Sequence, residues 1–466
     1  MLMPMSVKPD ATRPHGMTRR HFLRTASTGT ATLAWLSTTS ARAASRPAKG
    51  PQAEPVITSP NERVRVGCIG NGGMGRGDAS NAKRYGDIIA LCDVDRSHAE
   101  TLNAKTAGGK AVIYEDYRLL LERNDIDVVT ISTPDHWHTK IAVDAMRAGK
   151  DVYCQKPLTL TVEEGRLLCK VVKETGRVLQ VGTQQRSEYK NMFQKAVALV
   201  QDGRIGKVKR VVCALGPATK GGPFPKVAPP PGLNWGFWLG QAPWADYRVE
   251  RCHSKFRWWF EYSGGKITDW GAHHVDIAQW AIGMEHSGPI SVEVVSCDLP
   301  YPLKRGLPTV DDCYNTPTDF AVRCGFAHGA EIWIKSQHED EVMEGKNGIL
   351  FEGESGKFFV SRQVMNGGPI EALEQKPLAE DLLTRLRNGK LSDSHMGNFI
   401  ACVKDRSQPV SDVFTHHRTL TTCHLANIAI RLGRTLKWNP ATEQIIGDRK
   451  ANGFLSRPQR KGYEIV

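Results

Sequence analysis

Val64-Arg65-Val66-Gly67-Cys68-Ile69-Gly70-Asn71-Gly72-Gly73-Met74-Gly75 reads as a short strand running into a glycine-rich turn that opens a helix. Gly70 permits the tight turn and Gly72 lets backbone N–H groups approach a pyrophosphate. Gly75 lets the helix pack close to the sheet. The helix N-terminus adds a partial positive charge aimed at phosphate. A lone GxGxxG has many uses, but here a second strand, Ile88-Ile89-Ala90-Leu91-Cys92, ends at Asp93, 23 positions after Gly70. An acidic residue there accepts the adenine-ribose hydroxyls of a dinucleotide. Gly70, Gly72, Gly73, Met74, Gly75 and Asp93 are therefore the expected cofactor contacts. The charge of Asp93 repels a 2′-phosphate and favours NAD; Arg96, three positions on, could offset it, so NADP stays open.

Outward from this unit the pattern repeats. Ile126–Ser132 is a near-continuous apolar strand of the kind buried on both faces, ending in Thr133-Pro134-Asp135-His136-Trp137-His138. A helix over Thr139–Ala148 leads to a strand that stops at Gln155-Lys156-Pro157, because proline cannot donate a ladder hydrogen bond. A helix over Val162–Thr175 and a strand over Val178–Val181 close the series. Strands alternating with helices of this length predict a doubly wound parallel sheet over 61–182. Beyond about Gly182 the pattern changes. Val292–Val295, Phe320–Arg323 and Ala330–Lys335 alternate like half-exposed strands, and late helices are expected near Gly397–Lys404 and His416–Leu432. An α+β domain with a large, mainly antiparallel open sheet is expected over 183–440, then an irregular tail, 441–466.

A chain of 466 residues, 40% apolar and 24% charged, accommodates two domains with sizeable cores. No stretch approaches the roughly 18 uninterrupted apolar residues of a membrane span. Net charge is +13, of which the first 43 residues supply +5. Without a basic helix or an aromatic-spaced arginine ladder, no nucleic-acid partner is expected. The eleven cysteines form no CxxC pair and follow no metal spacing. Thr18-Arg19-Arg20-His21-Phe22-Leu23-Arg24, a short apolar segment and Ala41-Arg42-Ala43 match a twin-arginine export signal over 1–43, with a proline-rich linker over 44–60. The twin-arginine machinery is thus an expected partner and a periplasmic or otherwise exported location is expected.

Lys156 lies just past the carboxyl end of its strand, where open α/β sheets bind ligands, and a lysine there can hold a reacting hydroxyl. The twin-arginine signal, GxGxxG, Thr133–His138 and Gln155-Lys156-Pro157, in that order, resemble the glucose–fructose oxidoreductase/inositol dehydrogenase (Gfo/Idh/MocA) family over roughly 61–440. The resemblance implies that Lys156 lies in the active site. Gln155 stands where the family has glutamate, which removes a carboxylate from beside Lys156. The resemblance also implies a catalytic Asp-x-x-x-His on a helix, here Asp269 and His273; spacings of i, i+4 and i+7 put Asp269, His273 and Asp276 on one face. Asp269 is expected to orient His273, whose neutral imidazole suits removal of a hydroxyl proton.

Thr133, Pro134, His138, Gln155 and Lys156 are implied at the nicotinamide end of the cofactor. Gln184 and Arg186 follow the last strand of the first domain, at the mouth of the site. Trp235, Trp259 and Tyr262 precede the catalytic helix and offer faces on which sugar rings stack, and His274 is placed with these substrate contacts. No metal site is expected: neighbouring His273 and His274 point about 100° apart on a helix. His416, His417 and His424 are expected to be structural. The resemblance implies an NAD(P)-dependent oxidoreductase of a sugar or polyol hydroxyl with tightly bound cofactor. A glycosidase that oxidises its sugar transiently with NAD, or a non-catalytic sugar-binding protein, are the alternatives. Homo-oligomerisation through the open sheet is a family expectation.

Overall fold

The structure, a computed structural model, describes residues 63–466 except 339, 341–342, 344–346 and 389–393. The expected signal and linker lie outside the described residues.

β1 (Val64–Ile69), β2 (Gly86–Cys92), β3 (Val112–Tyr114), β4 (Val128–Ile131), β5 (Asp151–Gln155) and β6 (Leu179–Gly182) form a wholly parallel sheet in the order β3-β2-β1-β4-β5-β6. Every residue of β4, β5 and β6 is buried, which is why they read as unbroken apolar runs rather than alternating ones. Helices α1 (Gly73–Lys83), α2 (Arg96–Leu102), α3 (Tyr117–Leu121), α4 (Asp135–Arg147) and α5 (Val162–Thr175) connect them. Two details depart from the sequence reading. β3 and its short flanking helices carry no clear period. α4 starts four residues before Thr139, because Pro134 sits extended at its N-cap with Asp135 in the first turn, so the Thr133–His138 motif is itself a helix start.

The second sheet has nine strands: β7 (Val208–Ala214), β8 (Ser291–Asp298), β11 (Asp319–Gly325), β12 (Glu331–Lys335), β13 (Gly348–Gly353), β14 (Lys357–Val360), β15 (Met365–Asn366), β16 (Leu436–Asn439) and β17 (Gln444–Ile445). β9 (Leu303–Lys304) and β10 (Leu307–Pro308) make a separate ribbon. The order is β15-β14-β13-β7-β12-β11-β8-β16-β17, antiparallel throughout except for β7 with β12. Around it lie α6 (Met192–Gln201), α7 (Trp235–Leu239), α8 (Gly265–Asp269), α9 (Gly271–Ala281), α10 (Gly368–Glu371), α11 (Glu380–Leu386), α12 (His395–Asp405) and α13 (Val413–Leu432). α9 is buried at every position and packs on β7 and β12, while α13 packs on α9, α5 and β8.

The late chain returns to the first sheet. Met396, Phe399, Ile400 and Cys402 of α12 share a core with Val66, Cys68, Leu91 and Tyr153. His395 joins β6 through its own Nε2 to Val181 O (2.7 Å), and Val181 N donates to Ser411 O (2.9 Å). Residues 441–466 are no loose tail: Arg457 pairs with Glu164 on α5 (3.0 Å), and Arg460 Nε donates to Gly240 O (2.8 Å). A linear division at 183 and 440 therefore separates parts that share cores.

Candidate active site

A cavity of about 430 Å³ lies at the carboxyl edge of the parallel sheet, lined by the turns after β1, β2, β4, β5 and β6 and by α9. Strand order reverses between β1 and β4, so the two turns there diverge and leave a crevice. Gly70, with φ +83°, closes the first turn so tightly that a Cβ would lie 2.6 Å from the backbone of Ser132 and Thr133. Gly75 does not line the cavity; its place in the motif is steric, since a Cβ there would meet Gly70 O at 1.9 Å. Gly73 has nothing within 4 Å, and Gly72 at the N-cap of α1 has no side-chain cap, so the first N–H groups of the helix stay open toward the cavity. Asp93 accepts from Asn71 N (2.6 Å) and Asp95 N (2.9 Å), which fixes its carboxylate while leaving further lone pairs on both oxygens. This cradle of open amides beside a fixed carboxylate fits an NAD pyrophosphate and ribose.

Thr133, Pro134, His138, Gln155 and Lys156 line the inner end. His138 spans two turns, with Nδ1 2.7 Å from Pro157 O and Nε2 2.8 Å from Thr133 O. Burial lowers its pKa to about 4, so the ring is neutral and only one of the two contacts has a proton to share. Gln155 turns away from Lys156: its Nε2 donates to both oxygens of Asp78 (2.9 Å each), and Ser132 Oγ donates to the same carboxylate (2.6 Å). Burial raises Asp78 to about 6 despite these donors. A glutamate at 155 would set two buried carboxyls against each other, so the glutamine is matched to Asp78 rather than to Lys156.

Lys156 Nζ donates to Asp269 Oδ1 (2.5 Å) and to Asp269 O (3.0 Å), with Arg257 Nε 3.3 Å from the same Oδ1. Burial would raise Asp269, but Lys156 and Arg257 hold it at about 2, so it is an ionised anchor for the lysine. This corrects the expectation that Asp269 orients His273. Trp270 joins α8 to α9 with helical dihedrals and a tightened turn, His273 N donating to Trp270 O (3.0 Å), and the Asp269 carboxylate is taken by Lys156 and Arg257 rather than by His273. His273 lines the cavity, 4% exposed, and its Nδ1 has no hydrogen-bond partner. Burial, with Lys156 and Arg362 nearby, keeps its pKa well below the ordinary histidine value; the imidazole is neutral, with a ring nitrogen free to accept a hydrogen bond from a bound hydroxyl.

Gln184 lines the cavity, but the other expected substrate contacts do not. Arg186 is buried in a bidentate pair with Asp276 (2.6 and 2.8 Å), which also takes Asp276 off the catalytic face. Trp235 stacks on Trp238 and donates its Nε1 to Ala245 O (2.8 Å). Trp259 lies under Arg251 and donates to Glu250 O (2.8 Å), and the Tyr262 hydroxyl accepts from Arg251 Nη1 (3.0 Å). These three aromatics are core filler, satisfied by their own neighbours; Trp238, on which Trp235 stacks, reaches the cavity instead. His274 is buried against Asn347 Oδ1 (2.7 Å) and lies outside the cavity.

Several wall residues escaped sequence reasoning, four of them at the inner end. Asp135 accepts from Ser263 Oγ (2.6 Å), and burial raises it to about 7. Its position inside the Thr133–His138 motif was the available signal. Arg257, Trp270 and Arg362 also face the cavity. Arg362 lies between the rings of Tyr189 (4.8 Å) and Trp270 (4.7 Å), and it comes from the turn after β14, where no motif marks it.

Fold and site together define a two-domain, dinucleotide-binding α/β enzyme whose second domain presents a histidine to the cofactor end of the first. Residues 64–183 match the Gfo/Idh/MocA "Oxidoreductase family, NAD-binding Rossmann fold", and residues 222–465 match its "Oxidoreductase family, C-terminal alpha/beta domain". The chain belongs to the Gfo/Idh/MocA oxidoreductase family, and its cofactor is NAD. Among its relatives are an alpha-N-acetylgalactosaminidase of Shewanella oneidensis, 36% identical over 168 residues, and a glycosyl hydrolase family 109 protein of Shewanella pealeana, 37% identical over 160. These matches cover 32% of this chain and 36% and 35% of the relatives' own lengths, about a third of each. Its fold is that of the WlbA dehydrogenase from Bordetella pertussis in complex with NADH and UDP-GlcNAcA (TM-score 0.57, 18% identity, 81% of this chain and 99% of that one). The aldose-aldose oxidoreductase from Caulobacter crescentus, complexed with glycerol, is similar (TM-score 0.54, 18% identity, 80% and 99%).

Proposed function

We propose that this protein oxidises a hydroxyl of a sugar or polyol, using NAD that it retains rather than exchanges. The observation that supports it is the convergence of Lys156, anchored by ionised Asp269, with neutral His273 at the inner end of the NAD cavity. Bound NAD supplies the hydride acceptor. Lys156 Nζ gives two of its three N–H donors to Asp269 and holds the substrate oxygen with the third. His273 takes the hydroxyl proton on its unprotonated ring nitrogen, becoming imidazolium. Asp269 keeps Lys156 in place throughout. In Lys156→Ala and His273→Ala, turnover falls at least about 100-fold, the usual share of a positioned acid–base group; normal turnover in either would sink the assignment.

Retention of the cofactor belongs to the same reading. We place the protein outside the cytoplasm on the strength of Arg19-Arg20 and Ala41-Arg42-Ala43; free dinucleotide is scarce there, so the enzyme regenerates its own through a second substrate. Heat-denaturing the mature protein releases about one equivalent of NAD; a cofactor-free supernatant contradicts retention. Replacing Arg19 and Arg20 by lysine abolishes export, and unchanged export contradicts the signal.

A second reading, glycoside cleavage by transient oxidation of the sugar, is favoured by the partial likeness to an alpha-N-acetylgalactosaminidase. The same Lys156 and His273 would serve it. Release of an aryl aglycone without added NAD selects it, whereas an accumulating keto-sugar selects the first.

A further inference from the structure

Asp95, His98 and His253 meet at the outer wall of the cavity, although the two histidines belong to distant parts of the chain. Asp95 is the N-cap of α2. Its Oδ1 accepts from Ser97 N (3.1 Å) and Ser97 Oγ (2.6 Å), which leaves Oδ2 turned to the imidazoles. That oxygen lies 3.4 Å from His253 Nε2 and 3.9 Å from His98 Nε2, and the two rings are 4.7 Å apart at their centroids. One donor atom from each of the three residues falls within 4.8 Å of the others.

These separations are too long for hydrogen bonds between imidazole and carboxylate, which run about 2.7–2.9 Å when charged. The three side chains therefore converge on a common point without satisfying one another. The gap has the size of an ion: ligands at about 2.0–2.2 Å around a tetrahedral zinc ion stand about 3.3–3.5 Å apart, and the Asp95–His253 edge already has that length. His98 turns its other nitrogen, Nδ1, toward Asp93 Oδ2 at 3.6 Å, which puts a carboxylate behind the imidazole, where a shift of less than about 1 Å would give it the tautomer-fixing contact of a metal-bound histidine. The side chains are 14% (Asp95), 28% (His98) and 43% (His253) exposed, so an ion can enter from solvent.

We propose that Asp95 Oδ2, His98 Nε2 and His253 Nε2 form a binding site for a divalent transition-metal ion of the zinc type, with Asp93 as the outer partner of His98. Two imidazoles and one carboxylate suit zinc and its neighbours over calcium or magnesium, which take oxygen ligands. Three protein ligands leave a position for water. The ion ties α2 of the NAD-binding domain to the segment at His253, across the outer end of the cofactor cavity. The ion takes no ligand from Asp93, and Oδ1, the oxygen not turned to His98, keeps a lone pair for the ribose.

The test is a cobalt and zinc titration of the purified, cofactor-containing protein after dialysis against a chelator. One equivalent of Co²⁺ is expected to develop the visible absorption of a low-coordinate cobalt site, and Zn²⁺ to discharge it. His98→Ala and His253→Ala each weaken Zn²⁺ binding at least about 100-fold, Asp93→Asn about 10-fold through His98, and His328→Ala, at an exposed turn elsewhere, leaves it unchanged. Because His253 is largely exposed, its alanine variant is expected to keep the wild-type melting temperature in chelator, which separates loss of a ligand from loss of the fold. Absence of a stoichiometric Co²⁺ signal overturns the proposal, as does Zn²⁺ binding that survives both histidine substitutions.

Discussion

Two buried carboxyls beside Lys156 stand on opposite sides of their ordinary range, Asp269 at about 2 and Asp135 at about 7, and they leave opposite marks on pH behaviour. Asp269 is depressed in the fold, so its contribution to stability is complete above about 4 and is lost as pH falls toward 2. Asp135 is raised, so the folded state binds the extra proton and stability declines as pH rises from about 4 to 7, at no more than about 1.4 kcal/mol per pH unit. Asp135→Asn is expected to flatten that decline in urea unfolding at graded pH; an unchanged slope would show that Asp135 does not titrate there. Asp269→Asn removes the counter-charge of Lys156, and kcat is expected to fall at least about 10-fold with NAD content unaltered. Lys156 and His273 were legible from motif and spacing, whereas their partners were not. An i, i+4 rule puts two side chains on one face but does not say which partner a carboxylate takes, and here Lys156 and Arg257 take Asp269. The aromatic residues misled for a related reason, because composition cannot tell a tryptophan facing a cavity from one whose indole N–H is already satisfied by a backbone carbonyl.

At the scale of elements, the glycine turn does two separable things. Gly75 lets α1 lie against β1, whereas Gly73 leaves amides open to a ligand. Gly75→Ala has to push α1 off the turn and is expected to cost about 1–3 kcal/mol of stability and at least tenfold in NAD affinity. Gly73→Ala meets no atom within 4 Å and is expected to stay within about 0.5 kcal/mol of wild type in denaturant unfolding. Equal destabilisation by both would contradict the steric reading of the motif. The parallel strands were legible because burial on both faces makes them continuous apolar runs. β3 was not, since three residues carry no period. The start of α4 was missed because a Thr-Pro-Asp turn signal and a helix N-terminus use the same residues.

Across the whole molecule, the two sheets are held together by the returning chain. α12 completes the core behind β1 and β5, and the last residues brace α5 and the loop after α7. Removing 441–466 strips Glu164 of Arg457 and Arg166 of Glu443, and is expected to lower the melting temperature by more than about 5 °C. A truncated chain with wild-type stability would mean that the C-terminal contacts contribute nothing. The domain pattern was visible in the change from strand–helix alternation to half-exposed strands, but long-range return is not a local property of sequence, and nothing around His395 or Arg457 announces it. The exposed sheet face carries Arg323 between Glu293 and Glu331; we propose it as the surface of a homo-oligomer. Light scattering of the mature protein is expected to give a multiple of the chain mass, and a monomer would refute it.

The most direct measurement follows the nicotinamide absorbance of the purified protein, loaded with one equivalent of NAD, as single sugars and polyols are added. Wild-type protein is expected to reduce its bound cofactor once and stop until an acceptor is supplied. Lys156→Ala and His273→Ala, with the same NAD content, are expected to reduce it at least about 100-fold more slowly. Equal rates in wild type and both variants would contradict the assignment of this cavity as the place where the hydroxyl is oxidised.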